Sequence, residues 1–194
     1  INDTDSTYPK LHGFPYPKAG TTNSAARIGI IPAAGGTTRW VKVPGDPRNN
    51  YLARMDWLND SSGLIIQRLN RLQNTNDVLL ADASTGDVRN AYRDRSETWV
   101  DVVDDIQWLN EKEFIWISEK DGWQHAYRIK KDDGHEQLIT RFDGDILDVV
   151  SVDTSGGWIY FTASPENATQ RYLYRSKLEG AGVERVTPSN QPGT

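Results

Sequence analysis

Trp99–Arg141 reads WVDVVDDIQWLNEKEFIWISEKDGWQHAYRIKKDDGHEQLITR. Four runs in it favour strands: Ile106–Leu109, Phe114–Ser118, His125–Ile129 and Glu136–Thr140, with a turn at Asp132-Asp133-Gly134 between the last two. No stretch carries helical spacing over a useful length. Phe114-Ile115-Trp116-Ile117 is apolar at every position. Strict alternation would leave one face wet, so an unbroken apolar run predicts a strand covered on both sides. One sheet cannot cover itself twice, and the segment therefore needs similar neighbours on either side.

The chain supplies them. Tyr51–Arg93 repeats the plan with Leu52–Leu58, Leu64–Leu69, Asp77–Asp82 and Val88–Tyr92, turning at Ser84-Thr85-Gly86. Ile146–Thr187 repeats it with Leu147–Val152, Trp158–Thr162, Arg171–Arg175 and Val183–Thr187. Gly86, Gly134 and Gly182 mark the last turn of each unit and fall 48 residues apart twice, from 86 to 134 to 182. Trp57-Leu58-Asn59 returns as Trp108-Leu109-Asn110, and Trp158-Ile159-Tyr160-Phe161 is again apolar throughout, predicting a second doubly covered strand. A period of roughly 40–50 residues built from four short strands is that of a β-propeller blade. Upstream, Arg27–Ile31 and Arg39–Val43 flank Ala33-Ala34-Gly35-Gly36 and read as half a blade. Pro9, Pro15 and Pro17 make the opening stretch an extended arm. The expected fold is all-β: a partial β-propeller of about three four-stranded antiparallel blades plus an incomplete one. Its parts are an arm at 1–20, a half blade at 21–47, and blades at 51–93, 98–141 and 146–187.

Composition narrows the function classes. Hydrophobic residues make up 37% and seven Trp are present, enough for a core. The net charge of −5 comes from scattered acidic residues, which argues against nucleic acid, a partner that needs a clustered basic face. No apolar run approaches the roughly 18–20 residues that span a bilayer. Zero cysteines exclude disulfides, thiol catalysis and thiolate metal sites. The chain opens at Ile1 without a charged-then-apolar leader, which suggests a processed protein or an excised segment.

Chemistry-bearing motifs are scarce. Gly-x-Ser-x-Gly, a phosphate-cradling glycine loop and His-Glu-x-x-His are all missing. His135 follows a turn glycine and reads as solvated. His125 opens a third strand beside Trp123, where a hydrogen-bonded structural role stands against a catalytic one. Asp101, Asp104 and Asp105, and again Asp143, Asp145 and Asp148, invite a metal reading. Their spacing departs from a calcium loop, and both groups precede first strands, where Asp commonly serves turns. No metal or cofactor is expected.

Local sequences are more specific than the repeat. Tyr8-Pro9-Lys10 and Tyr16-Pro17-Lys18-Ala19-Gly20, then Ile66-Gln67-Arg68-Leu69-Asn70-Arg71-Leu72-Gln73-Asn74, then Trp99-Val100-Asp101, then Phe114-Ile115-Trp116-Ile117-Ser118-Glu119-Lys120-Asp121-Gly122-Trp123-Gln124-His125-Ala126-Tyr127 occur in this order. Together they resemble the propeller of bacterial dipeptidyl peptidase IV-like serine peptidases, of the prolyl oligopeptidase superfamily. The resemblance implies about half of an eight-bladed propeller that precedes, in cis, a C-terminal α/β-hydrolase domain. That domain would hold the Ser, Asp and His, so this chain would be non-catalytic, shaping a chamber around a peptide substrate. The family's paired glutamates have no counterpart, since the sequence lacks Glu-Glu. In some members the loop after the blade-opening Trp-Val contributes a substrate contact, which by this resemblance falls on Val102 or Val103. The family's well-known animal members have an aromatic residue there, and a strand-edge valine in the blade core is the competing reading. A periplasmic or secreted cell-envelope location is implied, and a homodimer of the parent stays open. The rival is a stand-alone binding or scaffold propeller of the periplasm, although the Gly-His…Trp-Asp signature of such repeats is missing.

Overall fold

Ile65 and Ile66 are neighbours in sequence yet lie in different cores. In a strand successive side chains point to opposite faces. A strand with both faces buried therefore sits between two packed layers. A computed structural model describes residues 5, 7–16, 18–104 and 106–193. Among these residues there is no helix, and fourteen strands form three four-stranded antiparallel sheets and one two-stranded sheet.

The two-stranded sheet pairs β1 (Gly29–Ile30) with β2 (Arg39–Trp40). The first full sheet is a meander of β3 (Asn50–Trp57), β4 (Gly63–Asn70), β5 (Thr75–Asp82) and β6 (Val88–Arg95). The second contains β7 (Gln107–Trp108), β8 (Glu113–Ser118), β9 (His125–Lys130) and β10 (Glu136–Leu138). The third contains β11 (Ile146–Asp153), β12 (Trp158–Ala163), β13 (Tyr172–Lys177) and β14 (Val183–Arg185).

Alternation along the middle strands builds three cores between successive sheets. Leu64, Ile66, Leu79 and Ala81 meet Ile28 and Val41 of the half blade. Ile65, Val78 and Leu80 meet Phe114, Trp116, Tyr127 and Ile129. Ile115, Ala126 and Ile139 meet Ile159, Phe161 and Ala163. The sheets stack face to face in chain order, which is the propeller arrangement anticipated from the repeat.

The stacking has a recurring close contact at the last hairpin of each sheet. A Cβ on Gly86 would lie 2.5 Å from the Trp40 carbonyl oxygen, and one on Gly134 would lie 2.8 Å from that of Ala91. The third sheet repeats this at Gly180, 2.5 Å from the Leu138 oxygen. Gly182, which the sequence spacing singled out, has nothing within 4 Å of its would-be Cβ. Beside each contact, a side chain of the preceding sheet donates to a carbonyl of the hairpin. Arg39 bonds Ala83 O (3.0 Å), Arg89 bonds Lys131 O (2.7 Å) and Gln137 bonds Glu179 O (2.7 Å).

Two outer strands end earlier than their residue pattern suggests, and threonine is the reason. The Ala126 N–H donates to the Thr140 hydroxyl at 2.9 Å, and the Leu173 N–H donates to the Thr187 hydroxyl at 2.9 Å. In both places a side-chain oxygen replaces the ladder carbonyl, so β10 stops at Leu138 and β14 at Arg185.

The doubly covered reading holds for β8, where Phe114, Ile115 and Trp116 are all buried and Ile117 is half-buried. It fails for β12. Ile159 and Phe161 are buried there, while Trp158 and Tyr160 on the opposite face are half-buried, with no other described sheet against them. On that face Arg175 and Lys177 lie 4.0 and 3.8 Å from the Trp158 ring centroid.

A half-buried ion pair bridges β8 and β9 of the second sheet. Glu113 accepts from Arg128 at 2.6 Å and from Asn110 at 2.9 Å. Chiefly through the Arg128 bond, with burial acting against it, its carboxyl is held below the ordinary 4.5. A carboxyl depressed in the folded state stabilises above its unfolded pKa, and that contribution is lost as pH falls through the folded value. The urea midpoint should therefore drop below about pH 4.5. Glu113→Gln should flatten part of that drop, and an acid profile identical to that of the unsubstituted chain would remove Glu113 from the account.

Candidate functional site

The segment between β6 and β7 would be an ordinary loop if it were not tied down. Gln67, on β4, is 1% exposed in an otherwise apolar run. Its Nε2 donates to Val103 O at 2.6 Å, while its Oε1 accepts from Val103 N at 3.0 Å and from Asn76 Nδ2 at 3.0 Å. Val100 N donates to Gln73 O at 2.9 Å, and Ser96 N donates to Asn74 O at 3.1 Å. The loop is thus laced to the preceding sheet at three places.

A cleft of about 510 Å³ opens beside it, walled by loop residues 98–104, the end of β8 and the start of β11. Val102 and Val103 both border it. They differ in burial: Val103 is 8% exposed and packs into the core with Phe114 and Trp116, while Val102 is half-buried. Asp101, Asp104, Glu119 and Asp148 also line the cleft, against Arg95 and Lys120. Most of these charges have partners. Asp101 accepts from Trp99 Nε1 at 2.8 Å, Asp104 pairs with Arg54 at 2.5 Å, and Asp148 pairs with Arg171 at 3.3 Å. Asp145 accepts from Gln124 N at 2.7 Å. Asp105 lies outside the described residues. No group of three or more metal-ligating side chains is assembled among the described residues.

Lys120 is held on the cleft's inner side. Its ammonium lies 4.1 Å from the Tyr127 ring centroid, donates to Tyr92 Oη at 2.9 Å and pairs with Glu136. Tyr92 Oη also donates to Glu136 at 2.9 Å. Burial first, then the Asp94 charge, pushes the Tyr92 hydroxyl far up, so it stays a neutral hydrogen-bond donor. Below it, Trp116 Nε1 donates to Asp94 at 2.8 Å.

His125 is 3% exposed, with Nδ1 2.8 Å from Asp121 Oδ2 and Nε2 3.0 Å from the Phe142 carbonyl. Both ring nitrogens are engaged, leaving none to take a proton from a nucleophile, so its role is structural. The site can bind and orient a polar ligand. Sequence reasoning reached its edge through Val102 and Val103 but missed Gln67 as the residue that builds it. A signal was available, since one carboxamide stands in the apolar run Leu64-Ile65-Ile66-Gln67.

Comparison with known proteins agrees with this architecture. The family model described as the dipeptidyl peptidase IV (DPP IV) N-terminal region matches residues 1–194. A probable dipeptidyl peptidase 4 of Emericella nidulans is 22% identical over 180 residues, covering 86% of this chain and 23% of that protein. The mouse protein named inactive dipeptidyl peptidase 10 is 25% identical over 191 residues, covering 91% of this chain and 24% of its own length. The crystal structure of Porphyromonas gingivalis dipeptidyl peptidase 4 superposes with a TM-score of 0.84 at 24% identity, over 100% of this chain and 28% of that one. A putative dipeptidyl aminopeptidase IV from Bacteroides ovatus gives 0.80 at 20% identity, over 94% and 29%. These likenesses show the fold. The chain spans about a quarter of the length of the curated relatives it matches.

Proposed function

Since the chain belongs to the dipeptidyl peptidase IV N-terminal region family, we propose that it is the non-catalytic propeller portion of a serine-type dipeptidyl peptidase. The parent would release dipeptides, or tripeptides, after proline from peptide N-termini. The observation that carries this is the family match across residues 1–194. The chemistry belongs to an α/β-hydrolase domain in the same polypeptide. There a His-activated Ser attacks the scissile carbonyl and an oxyanion hole holds the intermediate. The propeller's task is selection: stacked blades wall a chamber that admits short or unfolded peptides and excludes folded proteins. The cleft beside loop 98–104 is the part of this wall that touches the peptide, with Val102 as the contacting side chain. The reading extends to a bacterial periplasm or cell envelope, which fractionation against a periplasmic marker checks.

The full-length protein should release p-nitroaniline from Gly-Pro and Ala-Pro p-nitroanilides, and residues 1–194 alone should not. Turnover by the isolated chain that survives His125→Ala would overturn the placement of the chemistry. A folded full-length protein without turnover would contradict the peptidase reading and favour a binding propeller.

A further inference from the structure

The segment Gln67–Asn74 has no chemistry of its own, yet four of its residues serve one task. Asn70 Oδ1 accepts from the backbone N–H groups of Asn74 (3.1 Å) and Thr75 (3.2 Å), closing the β4–β5 turn. The closed turn holds Gln73 at φ 55°, and its carbonyl takes Val100 N. The Asn74 carbonyl takes Ser96 N, and Gln67 takes both backbone groups of Val103. Only Asp101 and Val102 lie between the anchors at Val100 and Val103, and both border the cleft. A buried carboxamide is unfavourable unless its bonds are made, and an aliphatic side chain would fill this core without that demand. Here Gln67 makes three bonds, two of them to a residue 36 positions away on another sheet's approach loop.

We propose that Gln67 is a positioning residue for the cleft. Its clamp on the Val103 backbone buries that side chain and fixes Val102 and Asp101 as the wall met by a bound peptide. The substrate half of this proposal rests on the peptidase reading above. Gln67 is not among the residues that line the cleft and acts only through the loop.

The test uses the full-length protein, with Gln67→Met, which keeps the length of the side chain and deletes its hydrogen bonds. Amide exchange in the segment 99–104 should accelerate about tenfold, the effect of losing bonds of ordinary strength. Protection across Gly63–Asn70 and Thr75–Asp82 should hold, which separates release of the loop from unfolding. KM for Ala-Pro p-nitroanilide should rise about tenfold with kcat within about twofold, because uniform binding is what is lost. Asn70→Ala, which loosens the turn without touching the core position, should move both readouts the same way and decides the matter if Gln67→Met does not fold. Val102→Ala should shift KM without altering exchange. Unchanged loop exchange in folded Gln67→Met overturns the clamp, and faster exchange with an unmoved KM overturns its role in positioning. A wild-type protein without turnover sinks the peptidase reading and the substrate half with it, while loop exchange still decides the clamp.

Discussion

Trp116→Ala should cost about 3–5 kcal/mol of folding stability, the range for truncating a large buried aromatic. Trp116 is 0% exposed and lies edge-on to Tyr92 and Phe114, with ring centroids 5.8 and 6.4 Å away. It belongs to the core shared by the first and second sheets, so its removal loosens an interface between blades as well as a strand. Its indole N–H also satisfies Asp94, which is 4% exposed and would be left short of a donor. Trp123, 42% exposed in the β8–β9 turn, should lose no more than about 0.5 kcal/mol on the same change. Urea midpoints of the two variants check this, and equal losses would mean that the sheet order around β8 is wrong.

The hairpin glycines give the second large effect and test the stacking itself. Gly134, Gly180 and Gly182 all have positive φ, at 70°, 82° and 75°, so alanine at any of them carries about 1–2 kcal/mol of backbone strain. At Gly134 and Gly180 the new methyl would also meet the carbonyl of the preceding sheet, at 2.8 and 2.5 Å. Relief requires the sheets to part, adding about 1–3 kcal/mol as overpacking does. Gly182→Ala adds nothing of this kind. Thermal melts should therefore rank Gly180→Ala well below Gly182→Ala, and parity between them would deny the close approach of successive blades.

These glycines also show where sequence reasoning stopped. Each of the three hairpins has five residues between its strands, at 83–87, 131–135 and 178–182. Gly86 and Gly134 are each fourth in their hairpin. The 48-residue interval then selects Gly182, which is fifth, and the backbone of the third hairpin brings Gly180, the third, against Leu138. Spacing reports which turn needs a glycine; packing decides which glycine is pressed. The inner strands were legible because a strand covered on both faces is apolar at successive positions. In β8 both faces were apolar and sheets lie on both, while in β12 the described sheets meet the Ile159 and Phe161 face. The early ends of β10 and β14 were not legible, since Thr140 and Thr187 look like strand residues but bond through their hydroxyls.

At the cleft, Trp99-Val100 led to a loop that borders it but left Val102 and Val103 indistinguishable, because an irregular segment carries no periodicity to assign faces. The clamp from Gln67 resolves their placement: it holds the Val103 backbone, and the Val103 side chain enters the core. A contact spanning 36 residues has no local signature beyond a carboxamide directly after the apolar run Leu64-Ile65-Ile66.

On the proposed function, the chemistry lies outside residues 1–194, in a serine-dependent domain of the same polypeptide. Active-site labelling of the full-length protein with a fluorophosphonate, followed by peptide mapping, tests it most directly. The account predicts a single adduct, on a serine outside residues 1–194, formed in step with loss of Ala-Pro p-nitroanilide turnover. An adduct within residues 1–194 that tracks with inactivation, or turnover untouched by the reagent, would contradict it.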